Sequence, residues 1–449
     1  MISRLVNLFK PAPKIAPLSD PAAIESQNRY WRMRILYSSM IGYALFYFVR
    51  KNLSLAMPAM EAELGISKAD LGLFLTMHGL FYGVSKFTNG FLGDRANPRY
   101  FMPLGLALSA AANICFGFSS AVVTFGLFWL INGWFQGMGF PPCARSLTHW
   151  FSAKERGTKF AIWNTSHSIG AALVLLICSY LVGYNWRLCF FVPAGMALCG
   201  AVFLLNRLRD TPESLGLPPV SDNPTDAIVA DEFEEQDEPP FRRFVIRHVF
   251  LNPMIWIISL ANFFVYTVRF AILDWGPTFL HEMKGLEIQH AGWVIAAYEV
   301  TGIAGMLLSG WLTDKVKGKG ARVCCVSMIL CGTCIYFFWS LPSSSMLVNT
   351  ALLCGMGFFI YGPQCLVGVV AANLASKRAA ATAIGLTGLF GYLSGILSGW
   401  GLGMIVDSHG WNTAFLVLIV AAGVAAFLFA LAYNAAYHND TLGNSPKKA

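Results

Sequence analysis

The stretch Gly90–Arg99 reads GFLGDRANPR, and a similar stretch in the second half of the chain, Gly310–Lys319, reads GWLTDKVKGK. A second pair of similar segments opens at Trp186, which begins WRLCFF, and at Trp411, which begins WNTAFL. The distance along the chain between the two copies is nearly the same in both pairs. Similar segments at one nearly constant offset indicate that the chain is built from two related halves.

The composition around these repeats is that of a membrane-spanning chain. Of the 449 residues, 56% are apolar and only 12% are charged, whereas a soluble domain carries about 25% charged residues. A bilayer core is crossed by a helix of about 20 apolar residues. On this basis the sequence predicts twelve membrane-spanning helices: Ile35–Met57, Leu71–Leu92, Tyr100–Ser119, Val122–Thr148, Phe160–Val182, Arg187–Leu205, Asn252–Leu280, Ala291–Leu312, Arg322–Leu341, Met346–Ala372, Ala379–Val406 and Asn412–Tyr433.

Basic residues outside the predicted spans are distributed very unevenly between the two sides of the membrane. Both tails and the loops on their side hold 24 of them, and the opposite side holds only Lys68, Arg187 and Lys284. Because cytoplasmic loops carry the excess of Lys and Arg, we predict a multi-pass protein of the plasma (inner) membrane with both termini in the cytoplasm. The first span begins at Ile35 and lacks a cleavage site, so we expect it to be retained.

The predicted spans divide the chain into five parts. We expect a cytoplasmic tail in residues 1–34, a six-helix bundle in 35–205, a cytoplasmic linker in 206–250, a second six-helix bundle in 251–433 and a tail in 434–449. The linker segment Asp222–Glu238 contains eight acidic residues and no Lys or Arg, which is typical of a solvated, flexible segment. An even number of spans makes the halves parallel repeats, related by a pseudo-two-fold axis along the membrane normal.

The repeated loop motif predicts a gating device at the cytoplasmic side. Asp94 and Arg95 follow Gly90, and Asp314 and Lys315 follow Gly310, so that each pair lies at the end of a helix and can form ion pairs across a turn. The two glycines permit close approach of neighbouring helices. Charges in one such loop are ordinary for the cytoplasmic side, but two matched copies favour a latch that forms and releases between conformations.

Two arginines lie within the predicted spans, at nearly the same offset as the repeated segments. Arg50 ends the apolar part of span 1, and Arg269 lies in span 7. An arginine at the centre of a membrane helix costs about 2.5–3.5 kcal/mol even on insertion scales, so each requires a reason. One alternative is a structural ion pair with Asp274 or Glu299. The other is a site where one arginine from each half binds an anion, and the planar guanidinium suits phosphate.

Further polar side chains in the spans are candidates for the same site. His167 in span 5 can titrate near neutral pH, which matches the second ionisation of phosphate. Lys51 and Lys86 either bind the anion directly or extend to the interface and pair with acids. Five tyrosines either line the path of a substrate or pack in the core: Tyr43, Tyr47, Tyr266, Tyr361 and Tyr392.

Longer motifs give the sequence a specific family resemblance. They are KPAP at Lys10, RKN at Arg50, GDRANPR at Gly93, WFQGMGFPPCAR at Trp134, ERG at Glu155, WNTSH at Trp163, RDTPESLGLPP at Arg209, VRFAILDWGPTFL at Val268, YGPQ at Tyr361 and GLFGYL at Gly388. Over nearly its whole length the chain resembles the organophosphate:phosphate antiporter family of the major facilitator superfamily. The resemblance implies an all-α membrane protein with the major facilitator fold of two six-helix bundles.

The resemblance also implies roles for individual residues. It implies phosphate binding by Arg50 and Arg269 with His167 nearby, and ion pairs of Lys51, Lys86, Asp274 and Glu299 that rearrange between states. The sequence departs from the family after His167, where Ser168, Gly170 and Ala171 replace the usual Asn and paired Gly. This departure affects the expected packing of span 5.

The function that we expect is exchange of a sugar phosphate, such as glucose 6-phosphate, for inorganic phosphate. The GYALFYF, CARSLT and GPQ segments are similar to the hexose-phosphate sensor and transport branch, whereas WFQGMG and ILDW are shared with glycerol-3-phosphate transporters. A glycerol-3-phosphate antiporter and a membrane sensor of external sugar phosphate therefore remain alternatives, and the sensor alone requires a protein partner. In the hypothesised mechanism, two unpaired arginines prevent closure of an empty site, and a bound phosphate offsets them.

Other classes of function are less compatible with the sequence. A phosphate-ester enzyme needs a nucleophile or a metal cluster, and the sequence has no His, Asp and Glu constellation at such spacing. Cys331 and Cys334 form one C-x-x-C motif without a second pair at zinc spacing, so we predict neither a metal nor another cofactor. Paired arginines do not suit the cationic substrates of drug exporters, and the basic residues form no stripe for nucleic acid.

Overall fold

The computed structural model describes residues 9–93, 96–151, 153–220, 246–316, 319–341, 345–375 and 380–433. The regular elements within these ranges are all helical. The described residues form two compact units. Unit 1 lies within Met1–Ile66 and Met77–Gln236, and unit 2 lies within Ser67–Thr76 and Asp237–Ala449. The first turns of one helix from the N-terminal half therefore pack with unit 2.

The helices of the N-terminal half are followed by a short 3₁₀ turn, Pro212–Leu215. In chain order they are α1 Pro21–Phe48, α2 Leu53–Leu64, α3 Lys68–Gly93, α4 Pro98–Phe118, α5 Val122–Gln136, α6 Phe140–Trp150, α7 Ala153–Leu181 and α8 Leu188–Arg207.

The C-terminal half begins its described part with a π-helical turn, Ile246–Phe250. Its α-helices are α9 Pro253–Lys284, α10 Ile288–Lys315, α11 Gly320–Ser340, α12 Met346–Ala375, α13 Ala380–Leu393 and α14 Leu402–Leu431, and the π-helical segment Ile396–Gly401 connects the last two.

Several helix ends follow directly from the local sequence. Asp20, Asn97 and Asn252 each precede a proline, and each side chain accepts a hydrogen bond from the backbone N–H two residues later at 3.0–3.1 Å. Such a cap satisfies one free donor, and proline suits the first helical position. Gly65 and Gly285 end α2 and α9 with φ of 65° and 66°, the left-handed conformation that glycine adopts without strain.

Eight helical stretches in the described ranges are long and apolar enough to cross a membrane. The last of them, Thr382–Leu431, contains 50 residues, which corresponds to about 75 Å of helix, more than twice the thickness of a bilayer core. Gly410, with φ 76° and ψ 176°, breaks it into two crossings. Together with α1–α2, α3 and α5–α6, these stretches agree with the twelve predicted spans, and the predicted all-α membrane fold is confirmed.

Two predicted spans differ from the prediction because each is divided into two helices. Span Ile35–Met57 is interrupted at residues 49–52 between α1 and α2, and span Val122–Thr148 is interrupted at residues 137–139 between α5 and α6. The second break follows from the sequence Gly-Met-Gly, since glycine destabilises a helix interior. The first break contains Arg50 and Lys51, and its backbone is stabilised by side chains from other helices, as described below.

The sequence repeat extends to matching contacts within each unit. In unit 1 the indole Nε1 of Trp186 donates to a carboxylate oxygen of Glu63 at 2.9 Å. In unit 2 the indole of Trp411 donates to Glu282 at 2.7 Å. The number of residues between Glu63 and Glu282 is the same as the number between Arg50 and Arg269. The same local contact therefore ties the end of α2 to the start of α8 and the end of α9 to α14.

Residues after α8 are folded onto unit 1 rather than free, although they belong to the predicted linker, residues 206–250. Asp210 is 2% exposed, and its carboxylate accepts from the Arg145 guanidinium and from the backbone N–H of Ala12, both at 2.8 Å. Its carbonyl accepts from Trp150 Nε1 at 2.9 Å. Asp210 thus joins the N-terminal segment, α6 and the end of α8. The acidic stretch Asp222–Glu238 lies outside the described residues.

Candidate functional site

The break between α1 and α2 exposes backbone carbonyls within the membrane-spanning part of unit 1. Side-chain amides from neighbouring helices satisfy them. The carbonyl of Val49 accepts from Asn113 Nδ2 at 2.9 Å and from Asn132 Nδ2 at 2.8 Å, and that of Phe46 accepts from Gln136 Nε2 at 3.0 Å. Unpaired carbonyls in hydrocarbon would cost several kcal/mol each. These amides therefore hold residues 49–52 in a non-helical conformation.

Arg50 lies in this break and is surrounded by aromatic rings. Its guanidinium carbon is 4.1 Å from the ring centroid of Tyr82 on α3 and 5.4 Å from that of Tyr47 on α1. Tyr82 is buried, and Arg50 itself is half-buried. Lys51 is buried beside it. Cation–π contacts of this kind orient a guanidinium and contribute about 0.5–2 kcal/mol each.

His167 lies next to Tyr47, one of the two aromatic side chains that contact Arg50. Its ring centroid is 5.7 Å from that of Tyr47, which in turn is 5.7 Å from Tyr43. Nδ1 of His167 donates to the carbonyl of Asn164, which assigns the proton of the neutral ring to Nδ1. Nε2 then accepts from the Ser168 hydroxyl at 3.3 Å. Protonation would turn Nε2 into a second donor, as an anion ligand requires.

Lys86 and Tyr43 both contact the ring of Phe140 at the start of α6, which links them to the residues around Arg50. The ammonium of Lys86 is 4.2 Å from the Phe140 ring centroid, and the ring of Tyr43 is 6.3 Å from it. Tyr43 also packs on Trp163, with centroids 4.7 Å apart. The structure therefore connects Arg50, Tyr47, Tyr43, His167 and Lys86 through contacts between rings and cations within unit 1. Their use as one anion site stays a prediction.

The departure after His167 is accommodated by close helix packing. Gly170 on α7 lies so near α1 that a Cβ built on it would be 2.5 Å from the carbonyl oxygen of Ala44. Ala171 is completely buried. A single glycine at position 170 thus permits the approach of α7 to α1 that sets the distance between His167 and Tyr47.

Arg269 occupies a different environment in unit 2. It lies in the uninterrupted helix α9 and is 3% exposed. Its Nη2 donates to the Tyr361 hydroxyl at 3.0 Å and lies 3.9 Å from a carboxylate oxygen of Glu299. Its guanidinium carbon is 4.7 Å from the Tyr361 ring centroid. Since Arg269 has an acidic partner, the hypothesis that both arginines of an empty site are unpaired is wrong for this one.

The contact between Arg269 and Glu299 is a buried ion pair of loose geometry. At 3.9 Å the two groups attract each other but are too far apart for a hydrogen bond. Glu299 is completely buried. A buried pair at this distance offsets the charge of Arg269, although no hydrogen bond joins its guanidinium directly to Glu299. An anion could therefore compete with Glu299 for the guanidinium.

Glycines position Tyr361 and Glu299 relative to Arg269. A Cβ on Gly302 of α10 would lie 2.6 Å from the ring of Tyr361 on α12. A Cβ on Gly305 would lie 2.6 Å from the backbone carbonyl carbon of Phe358, so these helices touch backbone to backbone. Small residues at such positions are the usual means of close packing in membranes. The close packing of α10 and α12 places Glu299 and Tyr361 on the same side of Arg269.

The remaining predicted residues of unit 2 lie near Arg269 or on adjoining helices. Asp274 is half-buried on α9, five residues after Arg269. Tyr266 lies one turn before Arg269 and packs against Gly391, where a Cβ would be 3.3 Å from its ring. Tyr392, the next residue on α13, is half-buried.

Arg50 belongs to unit 1 and Arg269 to unit 2, so the convergence of the two arginines on one anion remains a prediction.

The predicted gating motif is described only in part. Gly90 lies in α3, and Gly310 lies in α10, where an added Cβ would meet nothing within 4 Å among the described residues. Lys315 is exposed, with its ammonium 5.1 Å from the Trp311 ring centroid. Asp94, Arg95 and the side chain of Asp314 lie outside the described residues, and the gating role stays a prediction.

Some residues of the site are absent from the sequence-based prediction. These are the amides Asn52, Asn113, Asn132 and Gln136, which support the break, and Tyr82, which stacks on Arg50. A signal for the amides was available, because polar amides are uncommon in membrane helices and usually bond across them. The sequence contains no such signal for Tyr82, since one tyrosine among many apolar residues has no distinguishing pattern.

A multi-span helical membrane protein with a charged, aromatic-lined interior in each of two units is a membrane transporter by class. The family model described as Major Facilitator Superfamily matches residues 39–399. The chain belongs to the major facilitator superfamily. In fold it is similar to a solved bacterial homolog of the human lysosomal transporter Spinster, with a TM-score of 0.73 at 17% identity, covering 90% of this chain and 97% of that one.

Relatives at higher identity identify the branch. A probable hexose phosphate transport protein of Chlamydia trachomatis is 40% identical, with 96% of this chain and 97% of the relative covered. A glycerol-3-phosphate transporter of Bacillus subtilis is 39% identical, with coverage of 96% and 98%. The membrane sensor protein UhpC of Escherichia coli is 38% identical, with coverage of 94% and 96%. The resemblance to the organophosphate branch is thus confirmed.

Proposed function

We propose that this protein exchanges a sugar phosphate, with a hexose 6-phosphate such as glucose 6-phosphate as the first candidate, for inorganic phosphate across the plasma membrane. The observation that carries this proposal is the buried Arg269, which donates to Tyr361 at 3.0 Å and lies 3.9 Å from Glu299. Arg50, at the equivalent position of the first half, stacks on the ring of Tyr82. Guanidinium groups in a low-dielectric interior bind phosphate strongly. The names of the relatives support phosphorylated substrates.

In this proposal the anion replaces Glu299 as the main partner of Arg269. The loose pair keeps the guanidinium partly compensated while the site is empty, and a phosphate dianion binds it more tightly. His167 in its protonated form donates from Nε2, and Lys51 contributes a further positive charge. Lys86, Asp274 and Glu299 then exchange ion-pair partners between states. Either phosphate or a phosphate ester can serve as the anion, so the carrier returns loaded and needs no coupling ion.

Counterflow in proteoliposomes tests this function. Vesicles loaded with inorganic phosphate should take up labelled glucose 6-phosphate, and unlabelled phosphate, hexose 6-phosphates and glycerol 3-phosphate should be compared as competitors. We expect exchange in both directions and no uptake into vesicles without an internal anion. Absence of phosphate exchange with every substrate would refute the proposal.

Two alternatives have support from particular relatives. The Bacillus subtilis relative is named a glycerol-3-phosphate transporter, and competition by glycerol 3-phosphate far below the concentration needed for glucose 6-phosphate would favour that substrate. The Escherichia coli relative is named a membrane sensor. A sensor would bind the sugar phosphate through the same residues without exchange and would require a protein partner. The proposal also places both chain termini in the cytoplasm.

Replacement of Glu299 by Gln is expected to strengthen phosphate binding and to slow exchange. The change removes the internal competitor for Arg269 but keeps the size of the side chain. We expect the Kd for inorganic phosphate to fall about tenfold, which corresponds to about 1.4 kcal/mol, and the exchange rate to fall because release becomes slower. Calorimetry on purified protein measures the first effect and counterflow the second.

Glu287→Gln is the matched control for this experiment, because Glu287 is an exposed acid that precedes α10 in the same unit and pairs with the exposed His290 at 3.7 Å. It should change neither quantity. Weaker phosphate binding by the Glu299→Gln protein would show that Glu299 supports the anion site instead of competing with the anion.

A further inference from the structure

A cavity of about 690 Å³ lies in unit 1, beside the part of α1 that precedes the first predicted span. Three basic side chains line it, Arg29 and Arg32 on α1 and Lys159 on α7, together with one acid, Glu25. The cavity is separate from the cluster around Arg50, whose residues do not line it. Its excess of positive charge marks it as complementary to an anion.

Two of these cations are held by one aromatic ring. The guanidinium carbon of Arg32 is 5.0 Å from the ring centroid of Phe151, and the ammonium of Lys159 is 5.8 Å from it. Phe151 is buried at the junction of α6 and α7. Neither Arg29 nor Lys159 forms an ion pair in the described part of the chain. The ring therefore fixes Lys159 at the cavity, and the charge of Lys159 is available to an external anion.

The depth of these residues matches the phosphate layer of a bilayer. Arg32 precedes Ile35 by three residues, and Lys159 directly precedes Phe160, so both stand at the start of predicted spans. Arg29 lies one turn further out, about 4.5 Å along α1. Basic side chains at this level attract anionic lipids of the cytoplasmic leaflet. Ile24 and Met33 add apolar surface to the same cavity.

A buried acceptor in the cavity points to a particular headgroup. Oδ1 of Asn28 is buried, lines the cavity and has no hydrogen-bond partner among the described residues. An unsatisfied buried acceptor costs about 1–3 kcal/mol, so a ligand with a donor would be favoured here. The ionised phosphodiester of a phospholipid has no O–H to supply that donor, whereas a headgroup hydroxyl has one.

We propose that this cavity binds an anionic phospholipid whose headgroup carries hydroxyl groups, of which phosphatidylglycerol is the simplest example. The lipid phosphate binds Arg29, Arg32 and Lys159, and a glycerol hydroxyl donates to Asn28 Oδ1. The upper part of the acyl chains contacts Ile24 and Met33. The bound lipid would tie the outer end of α1 to the start of α7, the two helices that carry Tyr47 and His167.

The test uses the full-length protein in detergent with saturating inorganic phosphate, so that the transport site is already occupied. Thermal unfolding is followed during titration with dioleoyl phosphatidylglycerol, dioleoyl phosphatidylcholine or glycerophosphoglycerol, the headgroup without acyl chains. We expect phosphatidylglycerol alone to raise Tm. In the Arg29→Ala/Lys159→Ala protein, the phosphatidylglycerol concentration that gives half of the Tm increase should rise about 25-fold, from about fivefold for each cation.

Two further variants complete the design. Arg247→Ala removes an exposed cation from unit 2 that does not line the cavity and should leave the lipid response unchanged. Asn28→Ala should reduce the preference for phosphatidylglycerol over phosphatidylmethanol, a phosphodiester of the same charge whose headgroup has no hydroxyl. If the double variant fails to fold, the exposed Arg29 is replaced alone by Gln, and an increase of about fivefold is expected.

Three results would overturn the proposal. Equal stabilisation by phosphatidylcholine would show that charge is irrelevant. Equal stabilisation by glycerophosphoglycerol would assign the cavity to a soluble anion. An unchanged phosphatidylglycerol response in the folded Arg29 variants would exclude these cations. Counterflow does not depend on any of these outcomes, so failure of the lipid site is distinguishable from failure of the transport function.

Discussion

Replacement of Arg269 by Lys is expected to reduce phosphate exchange by at least about 30-fold, since loss of one partner in a buried charge-assisted contact costs about 2–5 kcal/mol. The lysine keeps the positive charge but loses the planar fork that reaches the Tyr361 hydroxyl at 3.0 Å and faces Glu299 at 3.9 Å. Counterflow of labelled phosphate measures the effect. Arg50→Lys should act similarly, because an ammonium cannot stack on Tyr82 as the guanidinium does at 4.1 Å.

Both variants should fold normally, since each keeps a cation of similar length at a position that already accommodates one. Arg247→Lys, at an exposed position of unit 2, is the matched control and should exchange phosphate at the normal rate. Size-exclusion profiles and thermal unfolding of all three proteins separate loss of transport from loss of structure. Normal exchange by either site variant in folded protein would disprove the assignment of that arginine to the anion site.

Replacement of Asp210 by Asn is expected to destabilise unit 1 by about 3–5 kcal/mol, the usual cost of removing one partner from a buried ion pair. The Asp210 carboxylate accepts from Arg145 and from the Ala12 N–H at 2.8 Å each. Its loss leaves the Arg145 guanidinium, whose side chain is 8% exposed, without this counter-charge. Thermal unfolding in detergent should show a clearly lower Tm.

A double-mutant cycle gives this second prediction its control. Asp210→Asn combined with Arg145→Met removes both charges, and we expect it to be less destabilised than the sum of the single changes. Glu25→Gln, at an exposed position of α1 in the same unit, should change stability by less than about 1 kcal/mol. Additive effects at positions 145 and 210 would mean that the contact between the two side chains contributes little.

The pairing of Arg269 with Glu299 changes how exchange without a coupling ion is explained. With two unpaired cations, an empty carrier would be blocked by the cost of burying charge alone. In unit 2 the buried carboxylate already offsets Arg269 at 3.9 Å, so selectivity for the loaded carrier depends on competition between Glu299 and the anion. The Glu299→Gln variant tests this competition directly.

The membrane class and most helix positions were predictable because they depend on local properties. Apolar runs, the Asn97-Pro98 and Asn252-Pro253 starts and the glycine ends at Gly65 and Gly285 each act within a few residues. The candidates Arg50, Arg269 and His167 were also predictable, since a charged or titratable group in an apolar span needs a reason regardless of its neighbours. Hydropathy did not show the break at residues 49–52, because the residues on both sides remain apolar.

The sequence by itself determined that the chain repeats, that it crosses the membrane and that basic side chains lie within its spans, since these follow from the order of residues along each segment. Only the tertiary structure decided the partners of those side chains: Tyr82 for Arg50, Glu299 and Tyr361 for Arg269, and Asp210 for Arg145. The physical reason is that burial of a charge or a free carbonyl is costly wherever it occurs. The group that compensates it is selected by which helices pack together, and in each of these pairs the partner lies on a different element of the chain.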